Sequence, residues 1–86
     1  MIKAFKCEDT ERLFNDVEVS IFKAISRIAR RKLEVLNSTL SLQSLCVPPG
    51  NRLGQFSIRI NDQWRICFKW RGGDAFDIKI IDYHRG

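Results

Sequence analysis

The chain has 86 residues, of which 44% are hydrophobic and 29% are charged. A chain of this length supports one core, so we expect a single domain over residues 1–86. The composition is that of a folded globular protein and argues against disorder. Fifteen Lys and Arg against ten Asp and Glu give a net charge of +5. That excess favours a polyanion such as nucleic acid as partner, although it would also suit solubility or an acidic protein partner.

The cysteines and the apolar segments argue against several other classes. Cys7, Cys46 and Cys67 are an odd number without a CxxC pair, and the chain has one histidine. A disulfide framework and a zinc site are therefore both disfavoured, and we expect three reduced, buried thiols with no metal and no cofactor. No stretch approaches the about 20 apolar residues of a membrane span, and the N-terminus lacks a signal-peptide pattern. We therefore expect a cytoplasmic protein that does not contact a membrane.

The first residues predict a strand followed by a short helix. Residues 2–5 alternate apolar and polar side chains, which favours a strand that pairs with a later sheet. Asp9 and Thr10 are candidate N-caps of the helix, and Asn15 with Asp16 interrupts it.

A longer, main helix is predicted from about Val19 to a stop at Asn37 and Ser38. Its apolar residues recur at spacings of three and four and define a core stripe: Phe22, Ile25, Ala29, Leu33 and Leu36. The other side of the helix is basic, chiefly through Arg27, Arg30 and Arg31. These arginines could bind nucleic acid, but a solvated helix face is the commoner explanation of such a pattern.

The last third of the chain predicts a three-stranded sheet. Residues 47–51 (VPPGN) indicate a rigid loop, after which three alternating segments are separated by turns at residues 61–63 and 71–74. This pattern is typical of two successive antiparallel hairpins. One apolar face is expected to pack on the main helix: Phe56, Ile58, Ile60, Trp64, Ile66, Phe68, Trp70, Phe76, Ile78 and Ile80. The predicted fold is α+β, with two N-terminal helices packed on an antiparallel sheet in the order β-α-α-β-β-β.

The same alternation gathers polar and basic side chains on the opposite face of the sheet: Ser57, Arg59, Arg65, Cys67, Lys69, Asp77, Lys79 and Tyr83. A localised patch with four cations favours a phosphate-bearing ligand. Arg59 and Arg65 lie on neighbouring predicted strands, so their guanidinium groups could hold one phosphodiester. The alternatives are that they pair with Asp77 or Asp82, or that they contact a partner protein.

The only histidine, His84, lies at the end of the last predicted strand, next to Asp82 and Tyr83. Its imidazole suits proton transfer at neutral pH. It could protonate the leaving 5′-oxygen when the 2′-hydroxyl of RNA attacks the adjacent phosphate, a cleavage that requires no metal. Tyr83 could stack on a base or polarise the phosphate. A histidine near a C-terminus is more often a surface residue than a catalyst, so these three residues alone do not decide the function.

Longer motifs are more specific. The segments PPGNRL, GQFSIRINDQWRICFKW and DIKIIDYH, together with IKAFKCEDTERLF and ARRKLEVL nearer the N-terminus, resemble the HigB-like toxins of bacterial type II toxin–antitoxin modules, within the RelE/ParE superfamily. The resemblance covers nearly the whole chain. It implies a curved antiparallel sheet packed against two helices, and a metal-independent endoribonuclease that blocks translation by cleaving mRNA in the ribosomal A site.

The resemblance also implies partners and site residues. The partners are the ribosome, its mRNA and a cognate HigA-like, helix-turn-helix antitoxin that neutralises the toxin, with operator DNA bound only through the antitoxin complex. The residues that match the catalytic positions of the family are Asp82, Tyr83, His84 and the phosphate-binding Arg65. The residues expected to bind RNA on the same face are Arg52, Arg59, Lys69 and Lys79, of which the first two match basic positions of the family.

The sequence departs from the family pattern after Leu53. Family members usually carry a further segment of the type leucine-lysine-glycine-aspartate-arginine at this point, and its basic residues help to hold the substrate. Here Leu53 is followed directly by Gly54. Either the segment is lost, or the written sequence omits residues of a disordered loop. A charged, glycine-containing connection is a common place for disorder, which favours omission.

Two other functions remain open at this point. The superfamily includes ParE-type gyrase poisons, which are not nucleases, although the DYH ending argues against that alternative. The loss of the basic segment would also be consistent with a catalytically weakened toxin that acts mainly as a corepressor with its antitoxin.

Overall fold

The computed structural model describes residues 1–45 and 55–83. Its elements are α1 (Glu8–Phe14), a 3-10 helix (Ser20–Ile25) that leads into α2 (Ser26–Ser38), a short 3-10 turn (Leu42–Leu45), β1 (Gln55–Arg59), β2 (Trp64–Arg71) and β3 (Asp74–Asp82). The three strands form one antiparallel sheet in the order β1-β2-β3. The structure therefore confirms the α+β class, with the helices preceding the strands.

The N-terminal segment adds to the edge of β3 as two isolated parallel bridges, between Ile2 and Ala75 and between Phe5 and Ile78. The Lys3 amide donates to the Ala75 carbonyl at 2.8 Å. The predicted pairing with the sheet is confirmed, but these bridges are too sparse to make residues 2–5 a regular strand.

Helix α1 begins earlier than predicted. Cys7 is its N-cap, with no side-chain hydrogen bond, and Asp9 and Thr10 lie inside the first turn, so the prediction that they cap the helix is wrong. Thr10 is completely buried. Its hydroxyl oxygen accepts a hydrogen bond from the Ile80 amide at 3.0 Å, which joins α1 to β3 instead of satisfying the helix terminus.

The predicted stripe of the main helix is confirmed. All five of its residues are buried in one core with Leu13 and the helix-facing side of the sheet. The first turns, however, are 3-10 rather than α, and the regular α-helix begins at Ser26. Since each buried aromatic or aliphatic side chain contributes about 1.5–3 kcal/mol, this packing fixes the orientation of the sheet and leaves its opposite face available for a ligand.

The two hairpins have the predicted order and short turns. In the first turn, the Asn61 side-chain oxygen accepts hydrogen bonds from the amides of Gln63 and Trp64, both at 2.8 Å. In the second, Gly72 and Gly73 have φ values of 60° and 83°. A two-residue turn with both φ values positive matches the twist of the flanking strands, which is why glycine occupies both positions.

A β-bulge in β3 overturns one part of the predicted core. The register shifts between Cys67 and Lys69, and Asp77 has a left-handed φ of 52°. The extra residue reverses the alternation beyond it, so Ala75 is completely buried whereas Phe76 pairs with Lys69 on the opposite face. The prediction that Phe76 joins the core is therefore wrong.

The remaining expectations from the sequence have mixed outcomes. Cys67 is buried, but Cys7 is only half-buried, so the prediction of a buried thiol is wrong at that position. Cys46 and the loop predicted at residues 47–51 lie outside the described residues. Among the residues that the structure describes, no helix is long and apolar enough to cross a membrane.

Candidate nucleic-acid interface

Arg65 and Tyr83 form the centre of the sheet face that is not covered by the helices. The guanidinium carbon of Arg65 lies 5.0 Å from the centroid of the Tyr83 ring. One of its terminal nitrogens donates to the Ser57 hydroxyl at 3.4 Å. No carboxylate of the described residues lies within 4.0 Å of this guanidinium. Arg65 is thus held in place by a ring and a hydroxyl, and its charge remains available to an external anion.

Arg59 lies directly opposite Arg65 in the register of β1 and β2. Like charges at this position repel, and the side chain of Arg59 instead bonds to the adjacent turn. Its Nε donates to the Asn61 carbonyl at 3.2 Å, and a terminal nitrogen pairs with the Asp62 carboxylate. The two arginines are neighbours, as predicted, but of the two only Arg65 lacks an acidic partner among the described residues. The alternative that these arginines pair with Asp77 or Asp82 is wrong, since neither arginine forms such a pair in the described structure.

The predicted lysines lie on the same face. Lys69 is exposed and its Nζ lies 3.6 Å from the Asp77 carboxylate, so part of its charge is neutralised. Lys79 pairs with Cys67 in the sheet register, one row from Arg65. Among the described residues of this face, the charge of Lys79 is therefore less neutralised than that of Lys69.

The pKa of the Cys67 thiol is affected both by burial and by the positive charges of this face. Burial raises the pKa of its thiol above the ordinary value of 9.0, whereas the positive charges of Lys79 and Arg65 oppose that rise. The thiol is therefore neutral at physiological pH and acts as a small packed side chain within the basic face.

Asp82 lies in the strand register of the helix side of the sheet. It pairs in register with Trp64, whose ring contacts Phe22 on the helix side of the sheet, at a centroid distance of 5.5 Å. Its carboxylate accepts a hydrogen bond from the Gln63 side-chain amide at 3.1 Å. Tyr83 is the first residue after β3, and its ring lies against Arg65 on the outer face. The sequence already indicated that Asp82 and Tyr83 lie on different faces, since neighbouring residues of a strand face opposite sides.

Two predicted site residues, His84 and Arg52, lie outside the described residues. In the part of the chain that the structure describes, no group of three or more His, Cys, Asp and Glu side chains could hold a metal ion.

The arginines of α2 form a second, more ordinary basic surface. Arg30 is half-buried, and its Nε donates to the Leu13 carbonyl at 3.0 Å and lies 3.4 Å from the Asp16 carboxylate. It therefore ties α2 to the end of α1. Arg27 and Arg31 are exposed, consistent with the solvated helix face that the sequence favours.

Sequence reasoning missed one pair of residues on the outer face. The guanidinium carbon of Arg71 lies 4.8 Å from the centroid of the Phe76 ring. The sequence pattern places Arg71 in a turn and Phe76 in the core. Asp77 was the residue that could have indicated the bulge, since aspartate tolerates the left-handed backbone better than most residues.

Comparisons with known proteins cover almost the entire chain. Residues 3–84 match the model of a HigB-like toxin family, described as RelE-like toxins of the type II toxin–antitoxin system HigB. Toxin HigB-1 of Vibrio cholerae serotype O1 is 33% identical over 95 aligned positions, which cover 99% of this chain and 99% of the relative. Endoribonuclease HigB of Proteus vulgaris is 34% identical over 92 positions, which cover 98% of this chain and all of the relative.

The lengths of the two alignments show that the relatives carry residues that this chain lacks. Both are longer than the 86 residues of this chain, so each relative has residues without a counterpart here. The full sequence joins Leu53 directly to Gly54. The expectation that residues were omitted from the written sequence is therefore wrong, and the basic segment is absent from the chain.

Proposed function

Because the chain belongs to the HigB-like family of RelE-like toxins of type II toxin–antitoxin systems, we propose that it is an endoribonuclease that blocks translation by cleaving mRNA in the ribosomal A site. The observation that carries the proposal is the Arg65 guanidinium over the Tyr83 ring, on a basic sheet face and with no carboxylate of the described residues beside it. An arginine fork and an adjacent aromatic ring are the groups that proteins use to hold a phosphate and a neighbouring unstacked base.

The proposed reaction is a transfer within the RNA strand. The 2′-oxygen forms a bond to the adjacent phosphorus while the bond from phosphorus to the 5′-oxygen breaks, giving a cyclic phosphate and a 5′-hydroxyl. The 2′-hydroxyl passes its proton to solvent, and another proton reaches the 5′-oxygen. In this proposal Arg65 stabilises the charge that develops on the phosphate, Tyr83 positions the substrate by stacking, and His84 protonates the 5′-oxygen.

The other predicted residues have supporting parts in the proposal. Asp82 is assigned a positioning part at the strand end, because its carboxylate is bound to Gln63 and its register is that of the helix side. The remaining described cations of the face, Arg59, Lys69 and Lys79, attract the RNA backbone, and we expect Arg52 to do the same. The absent segment after Leu53 removes cations that the family usually supplies, so we expect slower cleavage than in relatives that retain it.

Membership of a toxin–antitoxin family implies an antitoxin partner. We infer that this antitoxin is a HigA-like, helix-turn-helix protein and that the toxin reaches operator DNA only through it. A ribosome-bound mRNA substrate would require that the protein act in the cytoplasm.

Induction of the toxin in growing cells, followed by mapping of new RNA 5′ ends, tests this function. We expect cleavage within translated regions, none in the same transcript when its start codon is removed, and suppression when the antitoxin gene is co-expressed. Uncut transcripts with broken DNA would instead indicate a gyrase poison. Uncut transcripts, intact DNA and retained operon repression would indicate a corepressor without nuclease activity.

A further inference from the structure

The bulge at Asp77 has a specific effect on the outer face of the sheet. Without the extra residue, the alternation of β3 would direct Phe76 toward the helices and Ala75 away from them. The observed register does the reverse and pairs Phe76 with Lys69. A non-glycine residue with a left-handed φ of 52° is a local cost, and bulges are common where a strand must redirect a side chain beside a functional site.

The redirected ring repeats the arrangement found at the other end of the face. Arg71 covers Phe76 at 4.8 Å, as Arg65 covers Tyr83 at 5.0 Å. Arg65 and Arg71 lie six positions apart on the same strand, so their side chains lie on the same face. At about 3.3 Å per residue their backbone positions are about 20 Å apart.

The charge of Arg71 is not used within the described structure. Its register partner, Asp74, instead lies 3.5 Å from the N-terminal amino group. No carboxylate of the described residues lies within 4.0 Å of the Arg71 guanidinium. Like Arg65, it is held against an aromatic ring and remains available to an anion, and Lys69 and Lys79 lie between the two arginines.

We propose that Phe76 and Arg71 form a second RNA-binding position, which holds a base and a phosphate of the substrate strand several nucleotides from the position that is cut. Aromatic platforms joined by a basic track are how proteins bind single strands without reading their sequence. Stacked bases rise about 3.4 Å each, so about six stacked nucleotides, and fewer extended ones, span the distance between the two rings. This inference rests on the proposed function, since it takes the Arg65 end of the face as the cleavage position.

Binding of short and long RNA strands tests the proposal. The probes are a labelled strand of about twelve nucleotides, twice the estimated span, and a dinucleotide that cannot reach both rings. Both are 2′-O-methylated, which removes the nucleophile and prevents cleavage. Affinities are measured at one fixed salt concentration. The variants are Phe76→Leu, which keeps an apolar side chain without a ring, Phe76→Trp, which keeps a ring, and Arg71→Gln. Arg27→Gln, on the exposed side of α2, is the control for lost charge.

We expect Phe76→Leu to weaken binding of the long strand about tenfold and Phe76→Trp to retain it. Arg71→Gln should weaken it more than Arg27→Gln does. The variants at positions 76 and 71 should affect dinucleotide binding much less, because the Arg65 position still binds a dinucleotide. If Phe76→Leu does not fold, Arg71→Gln carries the same comparison with the ring intact.

Unchanged affinity of folded Phe76→Leu or Arg71→Gln for the long strand would overturn the second position. An effect seen only with ribosomes would also overturn it, since the contact would then be with ribosomal RNA. Arg65→Ala separates this inference from the proposed function: it should weaken binding of both probes. If it affects neither, the proposed cleavage position itself is wrong.

Discussion

The guanidinium of Arg65 lies over the ring of Tyr83, with no acidic side chain of the described residues within ion-pair distance. Arg65 lies on β2 and Tyr83 directly follows β3, so the pairing of these two strands brings the residues together. A cation held by a ring keeps its donors directed outward, whereas a cation bound to a carboxylate would first have to break that bond. This relationship makes the ring of Tyr83 a testable part of the interface.

We expect Tyr83→Leu to weaken binding of single-stranded RNA about tenfold, because both the stacking platform and the support of Arg65 are removed. Tyr83→Phe retains the ring and should bind within about twofold of the wild type. Fluorescence anisotropy with a cleavage-resistant strand measures both. Equal losses in the two variants would assign the role to the hydroxyl rather than to the ring.

We expect Asp62→Asn to strengthen RNA binding, because it releases Arg59 from its partner on the adjacent turn. The gain should be up to about fivefold, equivalent to the roughly 1 kcal/mol that an exposed ion pair contributes at most. Glu34→Gln makes the same change in net charge on α2 and is the matched control. If both variants bind equally well, the net charge of the protein matters and the release of Arg59 does not.

We expect Thr10→Val to destabilise the protein by about 1–3 kcal/mol, because the Ile80 amide would lose its buried hydrogen-bond acceptor. Thr10→Ser keeps the hydroxyl and should lose only about 1 kcal/mol with the methyl group. Denaturant unfolding of the three proteins measures the difference. A valine variant as stable as the wild type would show that this bond contributes nothing to the attachment of α1 to β3.

Cys67 should make stability fall at alkaline pH. Its pKa is raised in the folded state by burial, an effect that Lys79 and Arg65 partly oppose. The folded protein therefore keeps this proton to a higher pH than the unfolded chain, and above the ordinary value of 9.0 unfolding releases it. The loss is at most about 1.4 kcal/mol per pH unit. Unfolding free energies measured between pH 7 and pH 10 should fall less for Cys67→Ala, and parallel curves would contradict the shift.

Much of the fold could be predicted because burial follows simple periods. The stripe from Phe22 to Leu36 and the alternation in β1 and β2 correctly identified the core-facing residues. The prediction failed at Phe76 because one extra residue in β3 reverses the alternation without leaving a mark in the hydrophobic pattern. It failed at Thr10 because a threonine can either cap a helix or accept a hydrogen bond in the core. Only the tertiary contact with Ile80 decides between these two roles.

The candidate site could be predicted only in part, for a related reason. Alternation correctly placed Arg59, Arg65, Lys69 and Lys79 on one face. It could not show that Arg59 bonds to Asp62 while Arg65 does not, because that depends on the geometry of the turn. The motif groups the three terminal residues of the proposed site, whereas in the structure Asp82 is in register with Trp64 on the helix side and the Tyr83 ring lies against Arg65 on the outer face.

The central claim is that RNA is cut at the Arg65 face. Its most direct test is cleavage of mRNA on purified ribosomes that are paused with one defined codon in the A site. Wild-type protein, Arg65→Ala and the control Arg27→Ala are compared by mapping new 5′ ends over time. We predict A-site cleavage by the wild type and by Arg27→Ala at similar rates, and a rate at least about 100-fold lower for Arg65→Ala. A folded Arg65→Ala variant that cuts as fast as the wild type would contradict the account.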